Sequence, residues 1–74
     1  MINIDDWMIA NEEKSIKELN NIIKGKKVTY IDDVTDETIE FTALEIDEDD
    51  IFVYGTTDNN NERIEGYPPE YCYF

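Results

Sequence analysis

The chain has 74 residues, 41% of them hydrophobic, and 19 acids against 6 bases give a net formal charge of −13. That length suits one domain with a small core, spanning residues 1–74. The charge argues against direct contact with nucleic acid or an anionic membrane, since both need a basic surface.

The charge is uneven. Residues 1–37 carry nine acids and five bases, whereas residues 38–74 carry ten acids and one base. Between Val28 and Glu62 there are twelve acids and no Lys, Arg or His. Such a surface favours a basic partner protein or cations. The lone cysteine, Cys72, rules out an internal disulfide and fits a reducing, cytoplasmic setting. The acidic start Met1–Asp6 lacks the basic segment and long apolar run of a signal peptide, and no stretch approaches the ~18 apolar residues of a membrane span.

In chain order, Met1–Ile4 reads as a short strand, followed by Trp7, Met8 and Ile9 as a cover over the core. Ile16, Leu19 and Ile23 then recur at helical spacing, with Ile22 widening the stripe. Ser15 with Glu18 has capping-box spacing, and Asn11 followed by Glu12 and Glu13 offers a start one turn earlier. Gly25 falls where a helix-ending glycine belongs. The spacing predicts one helix over about 12–24.

After Gly25 the period changes to two. Val28 and Tyr30 alternate with Thr29 and Ile31, which predicts a strand over about 27–33. Val34–Glu37 reads as a polar turn, and a longer strand follows over about 38–47. Inside it Ile39, Phe41 and Ala43 share one parity while Leu44 and Ile46 take the other. A bulge near Ala43 would keep both sets inward. Asp47–Asp50 makes the next turn, with strands expected over about 51–55, 62–67 (Ile64 inward) and 71–74. Asp58–Asn61 reads as the turn before residue 62. The fold class is therefore α+β: one N-terminal helix, then a small antiparallel sheet of about five strands.

The segment Gly66-Tyr67-Pro68-Pro69-Glu70-Tyr71-Cys72 resembles the closing segment of SH3-like domains, where a Gly-Tyr-x-Pro-x-x-Tyr run passes through a short helical turn into the last strand. The Ala43–Tyr54 hairpin with its acidic turn is similar to that family's central strands. The resemblance covers the last half of the chain and implies a partly open small barrel. The tryptophan pair of SH3 peptide grooves is replaced by Ile51-Phe52. A helix leading into Gly25-Lys26-Lys27-Val28 and a bent second strand also resembles an Sm-type barrel, although the basic RNA-binding loop of that family is missing.

Catalytic parts are scarce. There is no His, Cys72 has no imidazole to activate it, and no Gly-rich loop could cradle phosphate. No enzymatic activity and no cofactor are expected. Asp47-Glu48-Asp49-Asp50 is rich in oxygen, but on a calcium-loop template the sixth position is Phe52 and the twelfth is Asp58, so no dedicated metal site is expected.

Two binding readings remain. In the first, Asp32, Asp33, Asp36, Glu37, Glu40, Glu45, Asp47, Glu48, Asp49 and Asp50 form a polyanionic surface. Outward carboxylates on a strand stand ~7 Å apart, and two rows plus acidic turns approach the charge density of a DNA strand, one per ~3.4 Å. This predicts an inhibitor of the kind encoded by phages and mobile elements, which mimics nucleic-acid charge and blocks a basic site. In the second, Tyr54, Tyr67, Pro69, Tyr71, Tyr73 and Phe74 form an SH3-like groove for an extended peptide, or a self-association surface. Solubility alone is the competing explanation for the charge, although a small domain achieves it with a net charge of roughly 5.

Overall fold

The computed structural model describes residues 1–57, 63 and 66–74. It holds helices α1 (Ile4–Ala10) and α2 (Ile16–Ile23), strands β1 (Lys27–Ile31), β2 (Thr38–Ile46) and β3 (Val53–Thr56), a 3-10 turn over Pro69–Tyr71, and strand β4 (Cys72–Tyr73). The fold is α+β, with a four-stranded antiparallel sheet ordered β3-β2-β1-β4. Those strands do not close into a barrel. No helix among the described residues is long and apolar enough to cross a membrane.

Two helices replace the single one expected. The apolar run at the N-terminus reads as a strand, but Asn3 accepts a hydrogen bond from the Asp6 amide and caps a helix there. Asp5 and Asp6 then sit in the first turn, where negative charge complements the dipole. Ile4 is buried, and Trp7 and Met8, three and four residues on, pack against the same core. Ile9 is not part of that cover; it is 62% exposed. A trace of the expected strand survives in residues 2 and 3. Ile2 and Phe74 exchange backbone hydrogen bonds, and Asn3 bridges Tyr73.

For α2 the later of the two starts holds. Ser15 Oγ accepts from the Glu18 amide and donates to Glu18 Oε1, while Asn11 closes α1 instead. Leu19 and Ile23 are buried and Ile16 packs against the core, but Ile22 is 42% exposed. Gly25 takes φ 87°, the left-handed conformation glycine adopts without strain, and turns the chain into β1.

The sheet explains the parity switch in β2. Ala43 faces Gly55 and Glu45 faces Tyr54, so Leu44 is the extra residue of a bulge. That one insertion lets Phe41, Ala43 and Ile46 all be buried on one face. The inner face also holds Val28, Val53 and Cys72, joined by Ile4 and Ile23 from the helices. Gly55 is required here: a Cβ would overlap the Thr42 carbonyl and the Phe41 ring.

β2 outlasts β1, and α2 completes its edge. Gly25 and Lys26 still bond the backbone of Ala43, but then the chain turns away. Beyond them the Asn20 side chain donates to the Ile46 carbonyl at 3.0 Å and accepts from the Ile46 amide at 2.6 Å. A carboxamide thus supplies both bonds a neighbouring strand would make.

The expected strand over 62–67 falls in part outside the described residues, which here are 63, 66 and 67. Arg63 bridges Thr56 and Tyr67 bridges Val53, each as an isolated contact along the outer edge of β3. Ile64 and the Asp58–Asn61 turn lie outside the described residues. Near the C-terminus the 3-10 turn starts at Pro69, and β4 is only two residues long.

Candidate functional site

The two acidic turns share one design, residue for residue. In the turn after β1, Asp32 Oδ1 accepts from the amides of Val34 and Thr35. The Asp36 amide bonds the Asp32 carbonyl, the Asp32 amide bonds the Glu37 carbonyl, and Asp36 adopts φ 61°. In the turn after β2, Asp47 Oδ1 accepts from the amides of Asp49 and Asp50. The Ile51 amide bonds the Asp47 carbonyl, the Asp47 amide bonds the Phe52 carbonyl, and Ile51 adopts φ 58°. Short acidic side chains favour this because they satisfy backbone donors in tight turns.

The shared design sorts the ten acidic candidates. Asp32 and Asp47 are turn-closing groups, half-buried by their own loops. Asp50 accepts from the Phe52 amide and, at 2.7 Å, from the Tyr54 hydroxyl. Glu45 pairs with Arg63 at 3.3 Å, in an arrangement too exposed to contribute much stability. The carboxylates of Asp33, Asp36, Glu37, Glu40, Glu48 and Asp49 are all on exposed residues. None of those six makes a side-chain hydrogen bond or ion pair among the described residues.

Their distribution differs from one continuous row. The turns leave opposite ends of β2, whose nine residues span about 26 Å at ~3.3 Å per residue. On the outward face Glu40 and Glu45 are separated by Thr42, which itself lies between Lys27 and Thr56. The acids therefore form two lobes. One holds Asp32, Asp33, Asp36, Glu37 and Glu40; the other holds Glu45, Asp47, Glu48, Asp49 and Asp50.

The aromatic candidates do not form a single groove either. Tyr54 lies on the outer face of β3, with Arg63 over its ring at 5.4 Å. Tyr73 faces Thr29 on the same outer surface at the other edge of the sheet. Pro69 is buried. Phe74 takes the edge of Trp7 at 5.2 Å and the Lys26 ammonium at 5.8 Å, so it closes the core beneath the N-terminus. Tyr67 stacks on Tyr30 at 4.1 Å, with the rings 18° apart.

At one end the two sets do meet. The charge of Asp33, followed by that of Glu70, raises the Tyr71 hydroxyl above its usual range. Burial, followed by the charge of Asp32, does the same to Tyr30. Tyr30 and Tyr71 are thus within electrostatic reach of Asp32 and Asp33 in the first acidic lobe, and Tyr67 is joined to them by its stacking on Tyr30. Tyr30 is the member that sequence reasoning missed, because strand parity marks it only as an inward core residue. At the opposite end, the Tyr54 hydroxyl is raised chiefly by its hydrogen bond to Asp50.

Cys72 sits in the core, fully buried, and burial pushes its thiol up to about 12. A thiol held protonated in this way is a small apolar filler and a poor nucleophile. Among the described residues no group of three His, Cys, Asp or Glu side chains is placed to hold a metal ion. No family model, curated protein or solved structure matches the chain.

Proposed function

We propose that this chain is a non-catalytic acidic binding protein, an inhibitor of phage or mobile-element type that occupies the basic site of a nucleic-acid-binding protein in the cytoplasm. The observation that carries the reading is the repeated turn. Each copy uses its first aspartate to fix the loop and leaves its other exposed carboxylates (Asp33, Asp36 and Glu37 in one, Glu48 and Asp49 in the other) without side-chain partners among the described residues. Carboxylates on a rigid turn lose little entropy when a lysine or arginine engages them. The two turns leave β2 at ends about 26 Å apart, a span of seven or eight phosphates at ~3.4 Å each along one DNA strand. The mimicry is therefore bipartite, with two charged ends reproducing the ends of a bound segment.

The test is displacement. A basic partner retained from lysate at low salt is purified and loaded with labelled DNA, and the acidic protein is titrated in. Stoichiometric release of the DNA is expected. Binding that leaves the DNA in place would rule out occupation of the same site. Asp47 and Asp50 are poor choices for charge reversal because they hold the turn, so Glu48 and Asp49 are the informative positions.

A second reading is favoured by a separate observation. The order β3-β2-β1-β4, the contacts of Arg63 and Tyr67 along the edge of β3, and the 3-10 turn before β4 support an SH3-like topology with a weak fifth strand and a partly open barrel. In that arrangement Tyr30, Tyr67 and Tyr71 beside Asp32 and Asp33 would receive an extended basic peptide. Tyr71→Ala separates the two: it abolishes binding of a proline- and arginine-containing peptide under the second reading and leaves DNA displacement intact under the first.

A further inference from the structure

We draw no further inference here: the strongest candidate, the open groove between α2 and the turn after β2 lined by Lys17, Asn21, Lys24, Leu44, Glu48 and Asp49, carries both signs of charge on facing walls, and nothing in the structure shows what covers it.

Discussion

Replacing Asn20 with alanine removes both hydrogen bonds that complete the edge of β2, the 2.6 Å bond from the Ile46 amide and the 3.0 Å bond to its carbonyl. Among the described residues no other strand reaches Ile46 on that side, because Gly25 has already turned the chain away. A buried group stripped of its partner costs ~1–3 kcal/mol. This site is part-buried, so water recovers some of the loss and the two together cost about 2 kcal/mol. Alanine returns about 0.6 kcal/mol through better helix propensity, leaving a net loss of about 1.5 kcal/mol. In a domain of this size that lowers Tm by about 6–12 °C. Urea unfolding followed by the fluorescence of Trp7 reads the stability, and amide hydrogen exchange reads the site. The Ile46 amide should lose protection while the Ala43 amide, bonded to the Lys26 carbonyl, keeps it. Asn20→Asp should cost at least as much, since it sets a carboxylate against the Ile46 carbonyl. Asn21→Ala, on the exposed neighbour, should fall within about 0.5 kcal/mol of the parent. Equal protection of Ile46 and Ala43 in Asn20→Ala, with stability unchanged, would refute the strand-surrogate role.

The other predictions concern backbone, pH and salt. Gly55→Ala forces a methyl into the Thr42 carbonyl and the Phe41 ring, and should cost about 3 kcal/mol or fail to fold; circular dichroism and expression yield check this. Asp36→Gly relieves a left-handed residue in an exposed turn and should stabilise by about 0.5 kcal/mol. Ile51→Gly relieves the same strain but gives up a side chain packed on the core, so it should not stabilise; denaturant midpoints distinguish the pair. Cys72 keeps its proton to about 12 in the folded state against 9.0 for an ordinary thiol. Its contribution is therefore complete below pH 9.0 and lost as pH rises toward about 12. Tyr30, Tyr54 and Tyr71, also raised, act in the same direction. Urea midpoints should fall steadily on the alkaline side, and Cys72→Ala should flatten the first part of that fall. Finally, self-repulsion at a net charge of −13 means added salt should raise Tm until repulsion is screened.

Much of the fold is legible residue by residue. The Ser15–Glu18 box, the stripe of Leu19 and Ile23, and Gly25 fix α2, because each belongs to a local rule that the tertiary structure leaves undisturbed. The parity switch between Ala43 and Leu44 predicts a bulge, and the register places one there. α1 is hidden because it is short: a seven-residue helix has too few periodic positions to stand out from an apolar strand, and its stabilisation comes from the Asn3 cap and from packing. Asn20 is hidden for a different reason. Its partner lies 26 residues away, and a polar residue on a helix gives no sign of which backbone it will meet. At the candidate site, composition reveals the acids but not their division of labour. Asp32 and Asp47 look like every other aspartate until the turn geometry shows their oxygens taken up by backbone amides. Tyr30 packs against the core and is only partly buried, with Asp32 near enough to act on its hydroxyl, and strand alternation distinguishes faces, not the two ends of one side chain.

The proposal is that the exposed carboxylates of both turns are read by a basic partner as a polyanion. The direct test is the salt dependence of affinity for the purified partner, measured for the parent chain, for Glu48→Lys with Asp49→Lys, and for Asp33→Lys with Glu37→Lys. The account predicts a steep linear fall of log affinity with log salt, and a shallower slope for each pair of reversals while thermal unfolding stays cooperative. Affinity that is the same at low and high salt, or slopes that do not change when either lobe is reversed, would contradict it.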